Sequence, residues 1–243
     1  MPEFYDYRLK FSKNGPVRFV GHLDVMRYFQ KANRRAGLPM RYSEGFSPHQ
    51  IMSFALPLSV GATSDGEYLD MSLMQETAPE EIIARLNEVM HEGIEARACR
   101  SLPEHSPKAM TVIAAAKYHL SLRESALPCP AGEYADHLRD FLNRGQILTE
   151  KKTKKGVQQV DLKPLIHESD VREDGSLLAI LHAGSKDHVK PALLYEAFHQ
   201  ANGWESAPNM LKVHRIDLYE EQEGRLVPLI ETDPGADAIP LND

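Results

Sequence analysis

The sequence predicts an α+β protein built from two tandem ferredoxin-like units, each with the element order β-α-β-β-α-β. Two observations lead to this prediction. Segments in which apolar residues alternate, as in half-buried strands, are separated by segments in which apolar residues recur with helical spacing. The same order of segments occurs in both halves of the chain, and its 243 residues exceed the length of one typical domain.

The first predicted unit occupies residues 1–103. Its first strand, residues 4–12, alternates aromatic and aliphatic residues with polar ones. The next element, residues 22–37, is predicted to be an amphipathic helix because its apolar residues recur at i, i+4, i+7 and i+11. Thr77, followed by Glu80, resembles a capping box at the start of a second helix. The other predicted elements are extended segments at 40–43 and 51–55, a strand at 67–73, a helix at 79–92 and a strand at 95–101.

The second predicted unit occupies residues 117–230 and follows a linker at residues 103–116. Gly156 is predicted to lie at the turn of a hairpin. Residues 231–243 are acidic, contain two prolines and are predicted to form a flexible tail. The elements predicted in this unit are a strand at 117–124, a helix at 131–144, a hairpin or strand pair at 147–165, a strand at 177–182, a helix at 190–202 and a strand at 211–219.

Composition and motifs disfavour several classes of protein. The two cysteines, Cys99 and Cys129, are too few for a disulfide scaffold or for an iron–sulfur cluster, which needs roughly three or four thiolates. No apolar run reaches the ~20 residues that cross a bilayer, and the N-terminus lacks a secretory signal, so we expect a cytoplasmic protein without membrane contact. Residues 58–66 (LSVGATSDG) are rich in glycine and hydroxyl groups but lack the lysine of a P-loop. The usual hydrolase, zinc-protease and dinucleotide motifs are also missing, so no cofactor or metal is expected.

Charge is distributed unevenly along the chain. The formal net charge is −7, yet residues 1–60 contain nine Lys or Arg residues and only four Asp or Glu residues, a surplus of five positive charges. The rest of the chain therefore carries a net charge of −12. This asymmetry indicates either an anionic partner for the N-terminal part or a solvated basic face without a partner.

Five runs near the N-terminus are distinctive in their sequence and order. They are VRFVGHLD (17–24), RRAGLP (34–39), YSEGFSPH (42–49), LPLSVG (56–61) and EYLD (67–70). In these runs the chain resembles the DUF2344 family, whose members are described as radical SAM-linked proteins. The resemblance covers residues 5–73 and is weak beyond about residue 105.

This resemblance implies a partner rather than a reaction. Members of the family are encoded beside, or fused to, radical SAM proteins, and some lie near genes for ribonuclease G and ribosomal proteins. The implied partner is therefore a radical SAM protein, and the implied context is RNA or a ribosome-related particle. Because this chain has only two cysteines, any iron–sulfur cluster would belong to the partner.

The helix predicted at residues 22–37 carries a basic stripe opposite its apolar face. Arginine can contact a phosphate through two hydrogen bonds, so the stripe suits RNA, and an ordinary solvated face is the alternative. His22 is a candidate general acid or base, or a phosphate ligand. Alternatively, it bonds a backbone group while Asp24 caps the helix. The candidate RNA- or ligand-binding residues on and beside this helix are Arg18, His22, Asp24, Arg27, Lys31, Arg34 and Arg35.

The loop at residues 42–49 is the strongest candidate site, because polar and aromatic groups are concentrated where the regular elements stop. An exposed Phe46 or Tyr42 could stack on an RNA base. In the alternative interpretation, Phe46 plugs the core beneath the loop. The candidate ligand-binding residues of this loop are Tyr42, Ser43, Phe46 and His49.

Three functions are compatible with these observations. One is a non-catalytic accessory protein that binds tRNA or rRNA, or presents substrate, for a radical SAM enzyme. Another is a metal-independent endoribonuclease that resembles the CRISPR repeat-processing enzymes in fold, with His22 as acid or base and Arg34 or Arg35 steadying the phosphate. The third is an adaptor that binds only proteins. We expect the first, and hence no enzymatic activity of the chain itself.

Overall fold

The structure is a computed structural model that describes residues 4–153, 156–184, 187–206, 208–231 and 238–241. The first half contains β1 (Tyr5–Lys13), α1 (His22–Arg35), β2 (Met52–Phe54), β3 (Thr63–Leu73), α2 (Pro79–Val89) and β4 (Ile94–Leu102). Next come α3 (Ala109–Val112), β5 (Ile113–Leu122), α4 (Ala131–Leu142), β6 (Leu148–Thr153), β7 (Gly156–Asp161) and β8 (Ile166–Val171). The last elements are β9 (Leu177–His182), α5 (Pro191–Ala201), β10 (Leu211–Gln222), β11 (Arg225–Pro228) and β12 (Ile239–Pro240). No helix in the described ranges has the length and apolar character needed to cross a bilayer.

A mostly antiparallel sheet of ten strands runs through both halves of the protein. In the first half the strand order is β4-β1-β3-β2, and in the second half it is β10-β5-β9-β8. The halves meet where β3 and β10 run parallel, with Thr63 opposite His214 and Ser64 opposite Arg215. The hairpin β6–β7 forms a separate sheet. The α+β class predicted from the sequence is thereby confirmed.

Apolar periodicity explains how each half covers its side of the sheet. Leu9 and Phe11 of β1 pack under α1, and the Phe11 ring lies 4.7 Å from the ring of Phe29. In the second half α4 and α5 meet through Phe141 and Phe198, whose rings are 5.3 Å apart. Each such side chain contributes about 1.5–3 kcal/mol when it is fully buried. These contacts therefore hold α1 in place and leave its opposite face in solvent.

The second half departs from the sequence-based prediction in two places. β5 begins at Ile113, so the end of the linker predicted at residues 103–116 is a helical turn followed by a strand. The strand pair predicted at residues 147–165 is the hairpin β6–β7, which lies outside the main sheet, and β8 takes the place beside β9 instead. β8 escaped prediction because it is an edge strand whose sequence, IHESDV, has too little apolar alternation to indicate a strand.

One local prediction, at the start of α2, is also wrong. The N-cap of α2 is Ala78, which has no side-chain cap, so Thr77 and Glu80 do not form a capping box. The Thr77 amide instead donates a hydrogen bond to the Tyr7 hydroxyl at 2.9 Å. Of the tail predicted at residues 231–243, β12 pairs with β11, and residues 232–237 and 242–243 lie outside the described residues.

Two buried ion pairs lie on β3, and one of them joins the halves of the protein. Nη1 of Arg215 on β10 donates to both carboxylate oxygens of Glu67 on β3, at 2.8 and 3.0 Å, and the two side chains are only 3% and 6% exposed. On β1, Arg8 pairs with Asp70 of β3 at 2.8 Å, and Asp70 also accepts a hydrogen bond from the Ala109 amide. Because breaking a buried pair is strongly unfavourable, these contacts fix how β3, β10 and α3 are aligned.

Part of the N-terminal basic surplus is used inside the protein. Arg8 and Lys10 of β1 pair with aspartates of neighbouring strands, and Lys13 is buried with its Nζ donating to a backbone carbonyl. Burial lowers the pKa of Lys13. The positive surplus at the surface is therefore smaller than the sequence suggests, and α1 and its adjoining loops carry most of it.

Candidate functional site

The exposed face of α1 is basic, as the sequence predicts. Val25, Phe29 and Ala32 are buried against β1, so the residues opposite them face solvent. Lys31 and Arg34, which are exposed, lie one turn apart on that face. Arginine and lysine side chains on one helix face can contact successive phosphates of a nucleic acid.

The loop at residues 43–49 is closed at its base by Ser43 and His49. The Ser43 hydroxyl lies 2.8 Å from Nδ1 of His49 and accepts a hydrogen bond from the His49 amide at 3.1 Å, while the Ser43 amide donates to the His49 carbonyl. Gly45 has φ +103°, a backbone conformation that favours glycine. At the tip, Phe46 is fully exposed, so the interpretation in which it plugs the core is wrong.

A shared carbonyl links the loop to the helix. The Gln30 carbonyl accepts hydrogen bonds from Nε of Arg34 at 3.2 Å and from Nε2 of Gln50 at 3.1 Å. Nε2 of Gln50 also lies 3.4 Å from the hydroxyl of Tyr42, which is 45% exposed. Gln50 therefore links Tyr42 to the carbonyl that also holds Arg34. We call these exposed residues of α1 and of the loop the α1–loop surface; they are Arg27, Lys31, Arg34, Tyr42, Phe46 and His49.

The other predicted residues lie apart from this surface or already bind other groups of the protein. His22 contacts the Phe54 ring edge-on, 5.3 Å between ring centres, and borders a small crevice that includes Glu67. Asp24 pairs with Arg27 at 2.9 Å, which partly neutralises that end of the stripe. Nη2 of Arg35 donates to the carbonyl of Val89 at the end of α2. Arg18 borders a different site, the cleft described next.

A cleft of about 700 Å³ opens between the halves, and the sequence did not reveal it. Its wall is built from residues 57–63, β5, β10 and the start of α5. The glycine- and hydroxyl-rich run at 58–66 was visible in the sequence, but the residues opposite it come from the second half of the chain. Among the described residues that line the cleft there is no Asp or Glu. The basic residues that line it are Arg18, Arg123, Lys190, Lys212 and Arg215.

The described residues include side chains of the kinds that bind metals and two free cysteines. Within those residues no group of three or more His, Cys, Asp or Glu side chains could hold a metal ion. Burial raises the pKa of the Cys99 thiol to about 12, and the pKa of Cys129 is also raised. A thiol with a raised pKa forms little thiolate at neutral pH and is a poor nucleophile.

Acid is expected to destabilise the protein through His188 in the cleft wall. Burial, together with the nearby charges of Arg215 and Lys190, lowers the pKa of His188 to about 4. An unfolded histidine has a pKa of ~6.5, so between these two values the unfolded chain binds a proton that the folded protein does not. The stabilisation is therefore complete above pH ~6.5 and is lost as the pH falls towards 4. The urea concentration at the midpoint of unfolding should be lower at pH 5 than at pH 7, and this difference should be smaller in His188→Gln. The exposed-site control is His105→Gln. An equal difference in the two variants would contradict the prediction.

Comparison with known proteins identifies the family. A search of the curated proteins finds no match. A family model described as "Uncharacterized protein conserved in bacteria (DUF2344)" matches residues 6–191, far beyond the segment in which the resemblance was visible by motif. The matched region contains the whole α1–loop surface and the parts of the cleft wall formed by residues 57–63 and β5. Because the match covers well over half of the chain, the protein belongs to the DUF2344 family.

Proposed function

We propose that this protein is a non-catalytic RNA-binding accessory protein that holds a single-stranded segment of tRNA or rRNA on the α1–loop surface. The observation that supports this most is the ring of Phe46, which is fully exposed at the tip of a loop closed by Ser43 and His49. An exposed aromatic ring at a loop tip offers a stacking face to an unpaired base, which is how single-stranded RNA is bound. A base stacked on Phe46 would cover the ring.

The charge of α1 favours RNA over an apolar partner. Lys31 and Arg34 are exposed on the same surface, and Arg34 is held by the Gln30 carbonyl through Nε, which leaves its two terminal nitrogens for a phosphate. Non-specific binders of single strands combine such cations with aromatic rings. Glu44 in the loop and the Asp24–Arg27 pair reduce the positive charge, which favours a short contact over a long basic track.

The proposed setting is the cytoplasm, with a radical SAM protein as the partner that carries the chemistry. The basis for the partner is the sequence resemblance. We also infer that each half is a ferredoxin-like unit, because in both halves the fourth strand lies beside the first, followed by the third and the second. In this interpretation the hairpin β6–β7 is an insertion in the second unit.

Replacing Phe46 by alanine is expected to weaken binding of a single-stranded oligoribonucleotide about tenfold or more, since stacking on an aromatic ring contributes ~1–3 kcal/mol per base. Phe46→Tyr keeps the ring and should bind like the parent protein.

The double variant Lys31→Gln/Arg34→Gln should bind RNA more weakly at low salt, and its affinity should depend less on salt concentration, since two phosphate contacts are lost. Fluorescence anisotropy with a labelled oligoribonucleotide at two salt concentrations measures all three effects.

The same titration tests the alternatives. Equal affinity of Phe46→Ala and the parent protein would sink the proposed stacking contact. RNA fragments that form in the presence of EDTA and disappear in His22→Ala would identify the nuclease instead. Among the described residues His22 has only a ring contact and no hydrogen-bonding partner, so the geometry gives the nuclease less support. Absence of both binding and cleavage would leave the protein-only adaptor.

A further inference from the structure

We propose that the cleft between the two halves binds a small phosphorylated ligand, a free nucleotide. This site is separate from the α1–loop surface and does not depend on RNA binding there. The residues of the cleft wall come from β5, β10, the start of α5 and the segment at 57–63, whereas the α1–loop surface lies on α1 and the loop at 43–49.

The charge of the cleft selects an anion. Five Lys or Arg side chains and three histidines line it, whereas no carboxylate does among the described residues. Two carboxylates that contact lining residues are paired with them, Glu67 with Arg215 and Asp65 with His214. A concave site lined by one sign of charge concentrates ligands of the opposite sign, and multiply charged phosphates most strongly.

Hydrogen-bonding capacity in the wall is only partly used. Nε of Arg215 and Nε2 of His119 are buried and have no hydrogen-bond partner among the described residues. Both residues line the cleft, and Arg215 is 3% exposed. The Arg215 guanidinium is held rigidly, because Glu67 and the Leu56 carbonyl both accept hydrogen bonds from its Nη1. Both nitrogens are enclosed in the wall and add to its polarity, while a ligand would contact the exposed side chains of Arg123 and Lys212.

The cleft is large enough, and has enough exposed apolar surface, for a ligand larger than a phosphate ion. The volume of about 700 Å³ lies within the ~300–1,000 Å³ range of small-molecule pockets. Phe19 and Val60 at the cleft are each 63% exposed, and the Arg18 guanidinium lies 4.8 Å from the Phe19 ring centre. An exposed ring next to basic side chains offers a stacking face for a flat base beside a binding site for its phosphates.

The test measures binding of three probes by isothermal titration calorimetry and thermal shift: adenosine diphosphate, inorganic pyrophosphate and adenosine. The variant is Arg123→Gln/Lys212→Gln, whose two side chains are exposed at the cleft, so that folding is preserved. The matched control is Lys31→Gln/Arg34→Gln, which removes the same charge from the α1–loop surface. Adenosine diphosphate should bind most tightly, and its Kd should rise tenfold or more in the cleft variant and stay unchanged in the control.

Each other outcome overturns the proposal. If neither adenosine diphosphate nor pyrophosphate shifts the melting temperature, the cleft holds no phosphorylated ligand. If pyrophosphate binds as tightly as adenosine diphosphate, the cleft recognises phosphate alone and not a nucleotide. Equal weakening in both double variants would mean that only overall charge matters. Failure of RNA binding at the α1–loop surface would leave these results unaffected, so the two proposals fail separately.

Discussion

Replacing Glu67 by glutamine is expected to lower the free energy of unfolding by about 3–5 kcal/mol, because it leaves the Arg215 guanidinium buried without a countercharge. Glutamine matches glutamate in shape, so the change removes charge and little packing. Burial raises the pKa of Glu67, while the pKa of Arg215, which burial alone would lower, is raised because Glu67 and Tyr118 favour the charged guanidinium. We take the pair as ionised, since both carboxylate oxygens contact the guanidinium.

Urea unfolding at pH 7 measures this loss, and a second variant isolates its cause. In Glu67→Leu/Arg215→Met both charges are absent, and replacing a whole buried pair by apolar groups is often neutral or stabilising. The double variant should therefore recover much of the stability that Glu67→Gln loses. A double variant as unstable as the single one would show that the Arg215 side chain stabilises the protein by packing and by its carbonyl contacts, not by its charge.

The change Gly66→Ala is expected to destabilise the protein by about 3 kcal/mol, at the upper end of what overpacking usually causes. A Cβ on Gly66 would lie 2.5 Å from the Ile216 carbonyl oxygen and 2.6 Å from Cα of Asp217. Both atoms belong to the backbone of β10, so no side-chain rotation can relieve the clash. The methyl group would push β3 away from β10 at the place where the halves of the sheet join.

Gly132→Ala in α4 is the matched control for Gly66→Ala. No atom lies within 4 Å of a Cβ built at Gly132, and alanine is the better helix former, so this variant should gain ~0.5–1 kcal/mol. Thermal unfolding of the two variants compares the same added methyl group in two environments. If Gly66→Ala were no less stable than Gly132→Ala, the close approach of β3 and β10 would be relaxed in solution.

The sequence alone predicted most regular elements and one of the two surfaces. Alternation in β1 and helical spacing in α1 are local patterns, and they also define which face of α1 stays in solvent. For the same reason the Tyr42–His49 loop could be recognised as a candidate site, since its residues are adjacent in the chain. Sequence motifs near the N-terminus likewise indicated the family.

Tertiary structure decided what depends on residues far apart in sequence. Whether Phe46 points into the core or into solvent follows from how its loop closes between Ser43 and His49. The inward position of Arg8 and Lys10 follows from aspartates on other strands, which no local pattern reveals. The basic cleft exists only because β3 pairs with β10 and brings residues 57–63 next to β5 and α5. Long-range strand pairing carries no local signature in the chain, and so the sequence could not predict the site that this pairing creates.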